Sequence, residues 1–451
     1  MARASRSDDK TPCREPAALC ESIRILSERV DSRPQANDRP VLLLVGHWGI
    51  PTGFRRVLES LVPPLAARFD LHLFAINKFE EENAPQGLPV TVHRNRNLED
   101  IHDPAALNEV VAAVRPALML VLDEPWACAR LEPALRNWPR MRTVFYLAVH
   151  GRAALDATVA RALAAADCLV TFTEGAAAKL REAMRGANAA GPRIGVIPHG
   201  VDTNVFRPMI TVGGKPDFAA SRLAARRQLF PDRPEMADAF IVLNANRNQP
   251  FKRIDLCLEG FAEFARGKPE NVFLYLHMAS RPAALGEVAL VDQLGIRDRV
   301  LPASALEQHP ALPDNELNIV YNACDIGINT SVREGWGLVS FEHAATGAAQ
   351  IVPNHTACAE LWAGSAMLIE TEPPDETSGL LGEWCLNEGT VKPESVAATL
   401  ESLLSDAALR ARMAQKAYEN ATRPEYRWEA IGERWCALLE EELMRVGSST
   451  A

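Results

Sequence analysis

The chain has 451 residues, 47% hydrophobic and 24% charged, with a formal net charge of −10. That composition excludes a disordered polymer and gives enough apolar material for two or three ordinary domains. An isoelectric point near 5.6 runs against a nucleic-acid binder, whose electrostatic footprint is basic, and nine cysteines without a C-x-x-C pair point to a reducing compartment and no zinc cluster.

In chain order, residues 1–40 are polar, with an amphipathic piece from Pro16 to Val30 inside an otherwise mobile arm. Val41 to Val45 then forms a buried strand. The loop Gly46-His-Trp-Gly-Ile-Pro-Thr-Gly53 leads into a helix from Phe54 that is expected to stop at Pro63-Pro64. Strand, glycine loop and helix make a unit that can face phosphate, although the spacing is not G-x-G-x-x-G. Taken alone, glycines that merely turn the chain explain this loop as well as a ligand does. Further apolar runs at Leu71 to Ile76, Val90 to His93, Ala117 to Leu122, Thr143 to Ala148, Cys168 to Phe172 and Ile194 to Ile197 alternate with helical stretches. That alternation predicts a parallel, doubly wound sheet, whose ligands bind at the carboxyl ends of the strands. His150 falls just past such an end, where a lone histidine is more often a packed loop residue than a catalyst. The turn-rich string Ile197-Pro-His-Gly-Val-Asp-Thr-Asn-Val-Phe-Arg-Pro208 closes the first half, 41–208.

The second half, 209–423, begins with an insertion and a basic helix, Ser221 to Leu229, expected to be solvated. Strands follow at Phe240 to Ala245, Val272 to Met278, Asp325 to Asn329, Ile351-Val352 and Ala366 to Ile369. In the loop after the first of these, Arg247 and Lys252 can converge on one anion, one as a fork and one as a point charge, while Arg253 pairs with a neighbouring acid. Residues 424–451 hold a long amphipathic helix, Glu425 to Leu443. No apolar run approaches the about 18 residues a spanning helix needs, and no secretory signal core is present. A cytoplasmic location is the expectation, with peripheral membrane contact left open.

Cys324 to Thr330 is a strand, and Gly335-Trp-Gly337 breaks it before a helix starts near Leu338. The first amides of that helix, at Gly337, Leu338 and Val339, lack partners and suit an anion. Glu334 lies in the turn and Glu342 on the helix. Side chains eight residues apart on one helix stand about 80° apart, so both can serve one ligand only when the first precedes the helix.

The whole string, E-x7-E on EGWGL after a strand ending in Asn-Thr-Ser, resembles the retaining family 4 glycosyltransferases of the GT-B fold, and IPHGVDTNVFRP resembles their interdomain signature. The resemblance covers roughly Val41 to Val446. It implies an α/β GT-B architecture, two doubly wound Rossmann-like domains facing a shared cleft, with the last helix crossing back to the first domain. It also implies an enzyme that moves a sugar from a nucleotide diphosphate sugar to a glycan, lipid-linked or small-molecule acceptor. By resemblance the first domain takes the acceptor and the second the donor. Glu334 then touches donor-sugar hydroxyls, Glu342 the ribose, Arg247 and Lys252 the diphosphate, and His150 the sugar. Gly53 lies beside the phosphates, and His199 and Gly200 lie near the cleft. No cofactor and no metal are expected, since no D-x-D motif is present. Rival readings are a nucleotide-sugar epimerase, a phosphorylase, or a binding protein that keeps the fold without turnover.

Overall fold

The computed structural model describes residues 39–448 apart from 50–51, 77–86, 96, 98–99, 101, 151–154, 188–190, 279–284, 302–311 and 374–388. The expected helix within Pro16 to Val30 lies outside the described residues.

The first sheet holds β1 (Val41–Gly46), β2 (Asp70–Ala75), β3 (Thr91–Arg94), β4 (Leu118–Asp123), β5 (Arg142–Leu147), β6 (Cys168–Thr171) and β7 (Arg193–Val196) in the order β3-β2-β1-β4-β5-β6-β7. All pairs are parallel, with Leu44 beside Leu73 on one side and Leu120 on the other. Leu42, Leu43 and Leu44 are fully buried, which explains the unbroken apolar run, because helices cover both faces of such a sheet.

After a hairpin of β8 (Thr211–Val212) and β9 (Lys215–Pro216), a second parallel sheet forms from β10 (Phe240–Asn244), β11 (Val272–Leu276), β12 (Val300–Leu301), β13 (Ile326–Ile328), β14 (Ala349–Pro353) and β15 (Met367–Ile369). Its order is β12-β11-β10-β13-β14-β15. In each sheet the winding reverses beside the first strand, between β1 and β4 and between β10 and β13. Those switch points are where doubly wound sheets leave a crevice at the strand ends, and Gly53, His150, Arg247, Lys252 and Glu334 lie in or at the ends of the loops that follow β1, β5, β10 and β13.

Five helices position the site: α1 (Gly53–Ala66), α2 (Phe218–Leu229), α3 (Asp314–Ala323), α4 (Leu338–Ala344) and α5 (Trp428–Ser448). Contrary to expectation, α1 runs through Pro63 and Pro64. Both sit in its last turn, and α5 clasps that turn: any side chain at Gly432 would collide with the Pro64 ring. The expectation of a solvated basic face on α2 is also overturned. Arg226 is buried and donates to Asp325 Oδ2 at 2.6 Å and to the Ala323 carbonyl at 2.9 Å, so it fastens α2 to the base of β13.

The crossing of the last helix is present. Glu442, near the end of α5, is buried and binds Arg142 at 2.6 Å and Arg193 at 2.9 Å, at the starts of β5 and β7. Trp435 and Ile431 are fully buried in a core that also contains Tyr146, Trp336 and Phe341, and so packs side chains of both sheets' layers together.

Candidate functional site

The loop after β10 and the turn after β13 are tied together before any ligand is considered. Val332 N–H donates to the Phe251 carbonyl at 2.9 Å, and Thr330 Oγ1 donates to the carbonyls of Lys252 and Arg253 at 3.1 and 2.8 Å. Those backbone ties fix Lys252 opposite Glu334, and Lys252 Nζ binds Glu334 Oε2 at 2.6 Å. Asn329 Nδ2 donates to the same oxygen at 3.2 Å. Asn329 is itself held, its Oδ1 accepting from the Ser331 hydroxyl at 2.6 Å and from its amide at 2.9 Å. Burial opposes a charge on Glu334, but the Lys252 ammonium overrides it and holds the carboxyl below its usual range. Both members of the pair are buried.

His150 reaches this pair from the other half. It stands against Gly335, where an added Cβ would lie 2.8 Å from its Cε1. Gly335 is therefore small because the histidine occupies the space a side chain would take. Burial pushes the imidazole pKa down, the anionic Glu124 and Glu334 pull it up, and Arg333 and Lys252 push it down again. Its buried Nδ1 has no hydrogen-bond partner among the described residues, an unusual cost for a packed histidine. Arg247 lies on the same loop as Lys252 but is exposed, and Arg253 pairs with Asp255 at 2.8 Å as expected.

The two glycine turns also meet. Gly53 opens α1, capped by Thr52 Oγ1, and a Cβ at Gly53 would touch Leu338 Cδ1 at 3.4 Å. Gly337, at φ 87°, precedes α4, whose start carries no side-chain cap. Left-handed backbone there explains a glycine at that position, and the amides at Leu338 and Val339 begin the helix opposite α1.

One turn farther along, the second glutamate has a partner that the sequence did not suggest. Glu342 is buried and its Oε1 lies 3.2 Å from Arg56 Nε on α1. Tyr321 Oη donates to Glu342 Oε2 at 3.3 Å. Burial pushes its carboxyl up to about 7, with Arg56 acting in the opposite direction. Arg56 also binds Asp314 through two bonds of 2.9 and 2.7 Å. Arg56, Asp314 and Glu342 border a cleft of about 810 Å3 lined also by Thr52, Asp202, Asn204 and Trp428.

His199 and Gly200 stand within the aromatic packing beneath the cleft. His199 is 3% exposed, bonded to Tyr146 Oη through Nδ1 at 2.7 Å and in ring contact with Phe172 and Trp336. Burial pushes its pKa down to about 3, so it is a neutral packing group at working pH. A Cβ at Gly200 would lie 2.6 Å from the Trp428 ring. Asn329, Ser331, Arg56 and Tyr321 are the residues that sequence reasoning missed. Asn329 and Ser331 were findable as polar residues at a strand's carboxyl end, whereas Arg56 and Tyr321 belong to helices whose meeting is a tertiary fact.

No protein family profile matches the chain. Across solved structures, sucrose-phosphate synthase from Thermosynechococcus elongatus aligns over 89% of this chain and 99% of its own, with TM-score 0.67 and 18% identity. Anabaena HepE in complex with UDP and glucose aligns over 89% of this chain and 100% of its own, with TM-score 0.66 and 17% identity. The fold is GT-B. Among curated proteins, D-inositol 3-phosphate glycosyltransferases of Segniliparus rotundus and Xylanimonas cellulosilytica are 35% identical over 162 residues and 31% identical over 256 residues. Those matches take in 35% and 56% of this chain but 31% and 52% of the relatives, so the chain spans about half or less of the length of the proteins it resembles. The resemblance to GT-B glycosyltransferases read from the motifs is thus borne out. Among the described residues no helix is long and apolar enough to cross a membrane.

Proposed function

We propose that this chain is a retaining glycosyltransferase that moves a sugar from a nucleoside diphosphate sugar to a hydroxyl of a glycan, lipid-linked or small-molecule acceptor. The observation that carries the reading is the buried Lys252–Glu334 pair at 2.6 Å, set at a switch point beside a His150 nitrogen that has no hydrogen-bond partner among the described residues. A buried pair of opposite charges is weak support for stability. As a pre-formed site it has a clear use: the ammonium faces a departing diphosphate and the carboxylate faces sugar hydroxyls.

Charge develops on the diphosphate as the glycosidic bond lengthens, and Lys252 and the uncapped start of α4 are fixed donors for it, with Arg247 supplying a second cation from the same loop as Lys252. Glu334, held ionised by Lys252, favours the positive charge that builds on the sugar ring. His150 is positioned beside the sugar, where its unused nitrogen can bond a sugar hydroxyl. Glu342 takes the ribose, for which Arg56 competes. No metal and no cofactor enters this scheme. The relatives' acceptor, D-inositol 3-phosphate, names one candidate to be assayed with this chain.

Calorimetry of UDP, GDP and ADP in EDTA, followed by anomeric analysis of the product formed from the best sugar conjugate, tests the reading. Diphosphate binding in chelator and a product that keeps the donor's anomeric configuration are expected. An absolute requirement for Mg²⁺ in diphosphate binding, or an inverted product, would overturn it.

A further inference from the structure

A second constellation sits at the carboxyl ends of the first sheet, apart from the Lys252–Glu334 pair. His47 follows β1, His102 precedes the next helix, and Asp123 ends β4. We infer that these three residues form a binding site for one divalent transition ion of the zinc class. One ring nitrogen of His47, one of His102 and a carboxylate oxygen of Asp123 lie within 4.8 Å of one another, a grouping of metal-ligand atoms from two loops and a strand end. Among the described residues it is the one cluster of this kind.

The spacing lets one ion bridge the three groups. His102 Nε2 stands 2.9 Å from Asp123 Oδ2, a distance that either accounts for. His47 Nε2 stands 3.6 Å from the same oxygen, too far to be a hydrogen bond. Ligands bound at about 2.0–2.2 Å to a tetrahedral ion lie about 3.3–3.6 Å from one another, and those at right angles about 2.9 Å. The two separations bracket that window, and imidazole with carboxylate is the donor set that zinc and its neighbours prefer.

The surroundings hold the ligands in place. Glu124 N–H donates to Asp123 Oδ1 at 2.8 Å, which fixes the carboxylate and leaves Oδ2 for the imidazoles, as outer-shell bonds do at metal sites. The His102 amide donates to Asp100 Oδ1 at 3.0 Å, and Asp100 is in turn held by Arg130 at 2.7 Å. Trp126 packs edge-on against His102 and Phe54 packs against His47, which limits rotation of both rings. Three protein ligands leave a coordination position open. The His47 side chain is 21% exposed, so solvent or an oxygen of a bound molecule can reach that position.

The test uses the full chain, stripped with EDTA and exchanged into metal-free buffer. Zn²⁺ is titrated by calorimetry and Co²⁺ by its visible absorption. Wild type is expected to bind one equivalent more than His47→Ala and than His102→Ala, and to show a cobalt band that both variants lose. Zn²⁺ should raise the Tm of wild type and leave that of His47→Ala unchanged, with equal metal-free melting of the two. The His47 variant keeps the experiment decisive should substitution of the buried His102 impair folding. The proposal is overturned if wild type shows no equivalent above the His47→Ala background. It is also overturned if the extra equivalent disappears with His72→Gln, since His72 lies next to His93 at 2.8 Å on β2 and β3 and is the competing imidazole pair.

Discussion

Lys252 and Arg247 share one loop but differ in what removal leaves behind. Lys252 is buried against Glu334, so Lys252→Ala strands a carboxylate in a low-dielectric site, a change that costs about 3–5 kcal/mol when a buried pair loses one member. Arg247 is exposed, and its loss carries no such penalty. Both substitutions are expected to weaken nucleoside diphosphate binding, by about 1.5–3 kcal/mol for a charge-assisted contact, but only Lys252→Ala should also lower Tm. Thermal melts beside calorimetry separate the two. Equal Tm in both variants would show that Glu334 finds another partner or simply takes up a proton.

Glu342 gives a pH signature of the opposite sign to the usual acid. Its folded pKa is raised to about 7 from 4.5, so the folded state holds the proton more tightly than the unfolded chain does. The stability this confers is complete below about pH 4.5 and is lost as pH rises to about 7. An ionised carboxylate accepts ribose hydroxyls better than a protonated one, so nucleotide affinity is expected to rise over the same upper range while stability falls. Glu342→Gln should flatten both profiles, and Arg56→Gln, which removes the cation 3.2 Å away, should move the affinity midpoint upward. An affinity profile in Glu342→Gln as steep as that of wild type would assign the titration to another group.

At the scale of elements, the central strands were legible because burial on both faces makes them apolar runs, as at Leu42 to Leu44 or Val242 to Leu243. Two kinds of feature were not. β12 is only two residues long, too short to carry a pattern, and it exists because β11 offers it an edge. α1 outlasts Pro63 and Pro64 because α5 packs on its last turn, a contact with residues from the far end of the chain. α2 misled for a related reason. Arg222, Arg226 and Arg227 look like a solvated stripe, yet Arg222 lies 3.2 Å from Asp325 Oδ1 and Arg226 2.6 Å from Oδ2, while the Ile241 amide donates to Oδ2 at 2.8 Å. Asp325 therefore joins α2, β10 and β13 at one carboxylate. Arg226→Ala is expected to cost about 3–5 kcal/mol, because the aspartate stays buried with the Ile241 amide and, for a cation, the more exposed Arg222, with Arg227→Ala as the nearly neutral control. Chemical denaturation curves for the two measure the difference. A loss below about 1 kcal/mol for Arg226→Ala, the size of an ordinary surface pair, would mean that Arg222 takes over the role.

For the whole molecule, the question is what keeps two separately wound sheets facing each other with His150 against Gly335. The candidate site was readable as two lists of residues, one for each half. Their meeting was not, since it depends on α5 and on the linker from Ile197 to Pro208. Val201 N–H donates to the Tyr426 carbonyl at 2.7 Å, so the outgoing linker and the returning chain run side by side, and α5 then lies across β5 and β7. Its fixed point is Glu442, 1% exposed and shared by Arg142 and Arg193. Glu442→Gln keeps the volume but removes the charge, leaving two guanidiniums without their main acceptor. Both arginines retain some exposure, at 24% and 34% of their side chains, and each keeps a second acid, Asp167 and Glu441. The expected cost is therefore about 1.5–3 kcal/mol, the range for hydrogen bonds to charged groups and below that of a fully enclosed pair. Because α5 is what returns to the first half, the loss should appear there. Hydrogen exchange is expected to quicken in β5, β7 and α5 while β10, β13 and β14 stay protected, and turnover should fall with little change in diphosphate affinity, since Lys252 and Arg247 both belong to the second half. Uniform loss of protection across both sheets would instead mean that the halves unfold as one unit and that the Glu442 cluster is not the hinge of their assembly.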